Sequence, residues 1–326
     1  MPLELVEETA EQSSARGKKE SQAALVRGFD AADLMDLDMP DPLYLARPWI
    51  SEGVTLVVGR PKIGKTTLLR QLVVEVNTGG SFLAAMCDKA QVLFLSLEEG
   101  ERLMRKKLKG VYTSDQLRGV RIEFEWKPGW AGVDALRERL KAEPNIRLLV
   151  IDSLTRFRPP PSRETPQFQQ DYNAVKWLAD LAKEFPGLAI CILHHTTKAN
   201  PEDPVAAISG TYGLTAAADN YLILLLHNNR FRLHCGGRLW EGDQSDYELA
   251  RQNGRWQLIG EWNVSAGDMT PQQVEVLAIL RREGTVTGNG IATRLGVSAQ
   301  AASKMLHRMA EAGLVTKTKH GWEPKS

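Results

Sequence analysis

Gly59-Arg60-Pro61-Lys62-Ile63-Gly64-Lys65-Thr66 has the spacing G-x-x-x-x-G-K-[ST], and what flanks it decides the fold. Before it runs an apolar, strand-like stretch, Val54 to Val58; after it Leu68, Leu69, Leu72, Val73 and Val76 recur with a helical period. A glycine-rich turn between a strand and a helix lets the backbone curl until successive N–H groups and the positive end of the helix face one point, which suits phosphate oxygens. Lys65 neutralises the β- and γ-phosphates, and Thr66 offers its hydroxyl to Mg2+. A nucleoside triphosphate, ATP by default, is the expected ligand, held with Mg2+ by Gly59, Arg60, Pro61, Lys62, Ile63, Gly64, Lys65, Thr66 and Thr67.

Working outward, Val92 to Leu97, Leu148 to Ile151, Leu188 to Leu193 and Tyr221 to Leu226 are apolar nearly throughout, with helical stretches such as Val175 to Phe185 between them. Strands buried on both faces and alternating with helices predict an α/β fold, a mostly parallel twisted sheet covered by helices. Phe231 to Leu233, Arg238 to Trp240 and Trp256 to Ile259 predict antiparallel hairpins at one edge. Leu148-Leu149-Val150-Ile151-Asp152 ends a strand in an acid, which beside a phosphate loop can hold Mg2+ through water. Val92-Leu93-Phe94-Leu95-Ser96-Leu97-Glu98-Glu99 ends another in two acids. An attacking water needs an acid near the γ-phosphate, so Glu98 and Glu99 are both candidates for the general base.

The chain has 326 residues, 43% hydrophobic and 25% charged, the proportions of a soluble globular protein long enough for two domains. It holds no apolar run of membrane-spanning length, and its start carries Glu4, Glu7, Glu8 and Glu11, so membrane-spanning and secreted readings are set aside and a cytoplasmic location is expected. Cys87, Cys191 and Cys235 lie far apart, without the spacing of a zinc site or a disulfide framework. The net charge of +1 hides segments of opposite sign. Residues 1–40 carry nine acids and four bases and read as a flexible acidic tail. Residues 41–266 form the nucleotide-binding body, and residues 267–326 a basic end domain.

In that end domain Thr270-Pro271 starts a helix, Gly296 closes a second, and Ser298 caps a third that runs to Ala312. Leu314 to Lys319 then alternates, turns at His320-Gly321 and ends at Trp322, the layout of a winged helix-turn-helix. From Asp268 onward eight Lys and Arg stand against five acids. The second helix of such a motif enters the major groove, so DNA contacts are expected at Ser298, Gln300, Ser303, Lys304, His307 and Arg308, with Lys317, Lys319 and His320 on the wing. Ala299, Ala301, Ala302, Met305, Leu306 and Met309 are expected to pack inside. Winged helices also serve as protein-binding modules, and that alternative stays open.

The phosphate loop, the strand ending at Glu98 and Cys191-Ile192-Leu193-His194-His195-Thr196-Thr197-Lys198 together resemble the RecA-like P-loop NTPases, in particular the AAA_25 domains and the plasmid-encoded RepA-type hexameric helicases. The resemblance covers roughly Leu43 to Trp262. It places the catalytic acid at Glu98, with Glu99 second, and a γ-phosphate sensor at His195, with His194 less well aligned. It implies that the loop after Lys198 faces a central channel and touches single-stranded DNA, with Lys198 and Tyr212 as contacts. It further implies that an Arg of the edge hairpins, Arg238 foremost, then Arg230 and Arg232, completes a neighbouring subunit's site in a homo-oligomeric, hexameric ring. The function implied is a DNA-associated ATPase, a RepA- or DnaB-like ring helicase or replication ATPase of a mobile element, with single-stranded DNA in the ring and duplex at the winged helix. An ATP-switched DNA-binding regulator or loader without unwinding activity, and a RecA/RadA-type recombination ATPase, are the rival readings.

Overall fold

The structure, a computed structural model, describes residues 30–38, 40–160, 166–195, 204–205, 213–241, 244–262 and 269–325. Two compact units divide the chain, Met1–Asp41 and Pro42–Ser326. The described part of the first holds one short helix, Ala31–Met35, begun by Asp30, whose carboxylate accepts from the Ala32 N–H at 2.9 Å. The rest of the acidic tail lies outside the described residues.

The second unit is built on a nine-stranded sheet. In chain order its strands are β1 (Gly53–Gly59), β2 (Gln91–Ser96), β3 (Val120–Glu123), β4 (Ile146–Asp152), β5 (Ala189–His195), β6 (Asn220–His227), β7 (Arg230–Gly237), β8 (Ser245–Gln252) and β9 (Arg255–Glu261). They lie in the spatial order β9-β8-β7-β6-β1-β5-β4-β2-β3. From β6 to β3 all pairings are parallel; from β6 to β9 they are antiparallel. The parallel strands are apolar along their length because both faces are covered. On one face helix α1 (Lys65–Thr78) packs with Leu68, Leu72 and Val76 against Val57, Phe94, Val150 and Leu193. On the other, α3 (Gly129–Ala142), α4 (Leu154–Phe157), α5 (Gln167–Glu184) and α6 (Gly213–Ala217) bury Leu136, Leu178 and Leu214 with Leu56, Ile151 and Ile192. Helix α2 (Glu101–Leu108) contributes Met104 to the first layer.

The antiparallel edge departs in detail from expectation. β7 is one continuous strand from Arg230 to Gly237, and Arg238 to Trp240 is a bend after it. β8 carries Tyr247 and Leu249 among charged and amide residues, a pattern too polar to be read as a strand in isolation, and it forms because it lies between β7 and β9. β3 was likewise missed, being only four residues long and half-buried.

The end domain has the expected layout. Helices α7 (Pro271–Glu283), α8 (Gly288–Leu295) and α9 (Ala299–Glu311) precede a wing of β10 (Val315–Lys317) and β11 (Trp322–Pro324), with Val286 bridging to Trp322. Thr270 and Gln273 form a reciprocal cap with Pro271 in the first turn, Gly296 closes α8 in the left-handed region, and Ser298 caps α9. Val276, Leu280, Ile291, Leu306, Met309 and Trp322 make its own core. Ala302 and Leu306 pack inside as expected, whereas Ala299 and Ala301 are exposed: they lie on the outer face of α9 with Gln300 and Lys304.

Candidate functional site: a phosphate cleft

Helix α1 begins without a side-chain cap. Its first residue follows Gly64, held at φ +114°, so the N–H groups of the first turn have no intrahelical acceptor and no capping oxygen in front of them. Two glycines are dictated by close approach: a Cβ on Gly59 would come within 2.6 Å of the Leu224 carbonyl oxygen, and one on Gly64 within 2.7 Å of the Trp256 ring. The Lys65 ammonium is buried and held by the carbonyls of Gly59 (2.7 Å) and Arg60 (3.0 Å). Burial pulls its pKa down to about 8 against the opposing pull of Asp152 and Glu98.

Asp152 ends β4 beside this turn. It is 1% exposed, and neither carboxylate oxygen has a hydrogen-bond donor in bonding geometry. Burial is the main reason its pKa rises to about 6; the nearby Thr66 hydroxyl opposes that rise, and the charges of Glu98 and Glu99 add to it. A buried acid with both oxygens unsatisfied, next to a helix N-terminus and a hydroxyl, fits a hydrated cation as its partner. Thr66 and Asp152 are thus suited to Mg2+; among the described residues no cluster of three or more His, Cys, Asp or Glu offers another metal site.

The structure separates the two adjacent acids. Glu98 accepts a hydrogen bond from the Ser153 hydroxyl and lies 3.3 and 3.4 Å, through its two oxygens, from His195 Nε2. Chiefly through His195, opposed by partial burial and reinforced by Ser153, its pKa falls to about 2. Glu99 turns instead to Arg70, at 3.0 Å, and to Lys107, so it is neutralised by two cations.

The paired histidines also divide, because successive strand residues face opposite sides of a sheet. His195 shares the α1 side with Cys191 and Leu193. Its Nδ1 is 3.1 Å from the Lys65 ammonium, which can only donate, so Nδ1 accepts and Nε2–H is left to donate to Glu98. One imidazole therefore joins the phosphate-loop lysine to the acid. His194 faces the α5 side, is buried, and has its pKa lowered to about 4 by burial and then by His195, Arg158 and Lys65.

Lys65, Glu98, Glu99 and His195 open on a cleft of about 560 Å³, whereas Asp152 and His194 are buried and do not line it. Of the residues expected from sequence, Pro61, Lys62, Gly64, Lys65, Thr66, Thr67, Glu98, Glu99 and His195 line it, while Ile63 is buried in the core beside it. Arg230 and Arg232 are elsewhere, on β7, each in a two-pronged pair: Arg230 with Glu248 at 3.0 and 2.6 Å, Arg232 with Asp246 at 2.6 Å twice. Arg238 is 65% exposed and makes two longer contacts, to the Ala218 carbonyl at 3.2 Å and Asp219 at 3.3 Å. Lys198 and Tyr212 lie outside the described residues. On the winged helix, Gln300, Ser303, Lys304 and His307 are exposed along one face of α9, while the Ser298 hydroxyl is used internally as the helix cap.

Sequence reasoning missed the remaining walls. Arg70, Lys107, Tyr112, Arg251 and Gly254 also line the cleft; Arg70 and Lys107 neutralise Glu99, and Ser153, buried and not itself a wall, donates to Glu98. Ser153 was findable as the residue after Asp152, and Arg70 as a polar interruption in the apolar face of α1. Arg251 and Gly254 come from a hairpin nearly two hundred residues away, and only the sheet order brings them there.

Fold and site together define a RecA-like P-loop nucleotide-binding core carrying a winged helix. The chain belongs to the AAA_25 family of AAA domains, whose family model matches residues 20–201, and residues 267–321 match that of the MarR_2 branch of the MarR family. A solved DnaB-like replicative helicase, described with its interactions with primase, superposes with a TM-score of 0.52 at 14% identity, over 76% of this chain and 71% of that one. The ATPase domain of G40P gives 0.51 at 14% identity, over 76% and 98%. At such identities the likeness is one of fold. The GTPase Era of Leuconostoc citreum (strain KM20) is 33% identical over 79 residues, 24% of this chain and 20% of that protein. The chain thus spans about a fifth of that relative's length. Among the described residues no helix is long and apolar enough to cross a membrane.

Proposed function

We propose that the protein hydrolyses ATP, and that it does so as a DNA-associated motor assembled from several copies. The observation that carries the first part is His195, bonded on one side to the lysine that meets phosphate and on the other to the acid that meets water. In hydrolysis a water attacks the γ-phosphorus as the bond to the bridging oxygen of ADP breaks. The transition state is loose, so placement of the water matters more than the strength of the base. A carboxylate held at about 2 is a poor proton acceptor at neutral pH, and the work assigned to Glu98 is orientation. Lys65 and the N–H groups of the first turn of α1 bind the phosphates, and Arg251, Gly254 and Tyr112 face the nucleoside. Mg2+, when bound by Thr66 and Asp152, supplies charge to the β- and γ-phosphates. His195 senses the γ-phosphate through Lys65.

The DNA part rests on the winged helix, on the family resemblance and on the shared fold. The leading version is a ring, hexameric as the resemblance implies, that moves along single-stranded DNA, with residues 41–266 as motor and 267–326 gripping duplex. A regulator or loader that cycles assembly without unwinding is the rival, and a recombination ATPase would form filaments. ATP and GTP turnover of the full chain, with and without single-stranded DNA, tests the reading, with forked duplex as the unwinding substrate. Glu98→Ala, which removes the group that places the water, is expected to cut turnover by about 10² while nucleotide still binds; unchanged turnover would remove Glu98 from its role. DNA-stimulated hydrolysis without strand separation favours the regulator.

A further inference from the structure

Trp256, on the edge strand β9, reaches the phosphate loop from a part of the chain that no phosphate-binding motif includes. Its ring is buried, and its Nε1–H donates to the Gly64 carbonyl at 3.1 Å. The same oxygen accepts the first helical bond of α1, from the Leu68 N–H at 3.0 Å. A peptide unit is planar, so fixing the Gly64 oxygen fixes the Lys65 N–H that points the opposite way, toward the phosphate end of the helix. With one donor the plane can still rock about the helix axis; a second donor from outside the helix stops it. The ring also lies against the Gly64 Cα, where a Cβ would come within 2.7 Å of it.

The anchor is itself anchored. Gln71, buried within α1, uses its side-chain amide as a strand would use its backbone, donating to the Trp256 carbonyl at 3.0 Å and accepting from the Trp256 N–H at 2.7 Å. Arg255, one residue earlier, pairs with Glu75 a turn further along. Phe231 packs edge-on against the indole at 4.8 Å, and Arg251 lies over it at 5.5 Å. The buried Gln71 and Glu75 are thus explained, since they hold β9 against α1 along about 6 Å of helix.

We propose that Trp256 is a positioning residue for the phosphate loop. It aims the Lys65 amide at the bound triphosphate and ties the geometry of the loop to the β8–β9 hairpin, whose Arg251 and Gly254 face the same cleft. The proposal rests on the nucleotide reading above, and its test separates the two.

The full-length protein, Trp256→Phe and Gln71→Met are compared for binding of a slowly hydrolysed ATP analogue with Mg2+, for KM and kcat of ATP hydrolysis, and for melting temperature without nucleotide. Phe deletes the N–H together with the part of the indole that lies against Gly64, while Leu68 still satisfies the Gly64 oxygen, so the loop loses one neutral hydrogen bond and a packing wall. The expected result is roughly a three- to tenfold weaker affinity and higher KM, with kcat little changed. Gln71→Met, which removes both bonds to the Trp256 backbone and so loosens the hold on the indole, is expected to move KM the same way and serves if the Phe variant does not fold. A folded variant of either kind that melts lower but binds and turns over as the wild type does overturns the proposal, for Trp256 is then only core. Absence of analogue binding by the wild type overturns the nucleotide reading instead.

Discussion

The phosphate cleft and the winged helix both carry charge, and they use it in opposite ways. At the phosphate site Lys65 and Asp152 are buried, and Glu98, though open to solvent, is held between Ser153 and His195. The ionisation of each is moved by burial or by a neighbour, and His195 links two of them directly. On α9 the polar groups stand in water along one face, with Ala302, Leu306 and Met309 turned inward. Charges out of water interact strongly and must be placed singly, which suits one small ligand and a reaction. Exposed charges are individually weak and add by number, which suits a long polyanion and makes binding salt-dependent.

Arg238 is the residue that could break this contrast. It is exposed as the winged-helix charges are, yet it is proposed to do cleft chemistry once a second subunit covers it. Arg230 and Arg232 are already committed to Glu248 and Asp246, whereas Arg238 is held only by one carbonyl and one carboxylate at longer distance. Arg238→Ala is expected to lower turnover by about 10³, the scale of a cation supplied in trans, with nucleotide affinity within a few-fold of wild type. Mixing Arg238→Ala with Lys65→Ala subunits, each inactive alone, should restore part of the turnover, since some interfaces then pair an intact lysine with an intact arginine. Full activity in Arg238→Ala would return that residue to ordinary surface.

Asp152 sharpens the contrast from the other side, because its burial has a cost in the free protein. Its folded pKa of about 6 lies above the usual 3.8, so folding favours the protonated acid. The associated stability is present at low pH and is lost as pH rises through about 6. At pH 7.5 Asp152→Asn, which removes the buried charge, is expected to melt a few degrees higher than wild type. The advantage should shrink as pH falls below 6, where Asp152 itself takes up the proton. The same variant should lose the rise in melting temperature that MgATP gives the wild type. A lower melting point at neutral pH, with the MgATP effect intact, would contradict both roles.

The part of this site legible in sequence was the part built from contiguous residues. The phosphate loop, Asp152 and Glu98 each sit at the end of an apolar strand, and strand ends at one edge of a parallel sheet converge whatever the loops between them do. The resemblance ranked Glu98 before Glu99 and His195 before His194, but the physical reason is in the structure: strand alternation puts the two histidines of β5 on opposite faces, and the bend after β2 turns Glu98 to Ser153 and His195 and Glu99 to Arg70 and Lys107. Arg251, Gly254 and Trp256 were illegible for a different reason. Arg251 lies on a strand too polar to be read and Gly254 in the turn after it, while the strand of Trp256 was expected at an edge but nothing local places it over the loop; only the order β9-β8-β7-β6-β1 shows how that edge is joined to the strand leading into the loop. The winged helix was read nearly whole because its caps, Thr270, Gly296 and Ser298, are local signals; the exposure of Ala299 and Ala301 was missed because alanine says little about which way a helix faces.

The smallest effects are expected on α9. Lys304 and Arg308 stand one turn apart, so both can follow a phosphate backbone, and neither is expected to read a base alone. Lys304→Ala and Arg308→Ala should each weaken duplex binding by the full chain a few-fold, about equally across sequences, and each should reduce the slope of log affinity against log salt by roughly one. Gln300→Ala, at a base-reading position, should leave that slope alone and relax the preference for one sequence over another. With only three excess positive charges from Asp268 onward, affinity per subunit is expected to be modest and to be multiplied by the proposed assembly. Duplex binding that ignores all three substitutions would make this face a surface for a protein, and the contrast with the cleft would then lie between a reaction and a protein contact.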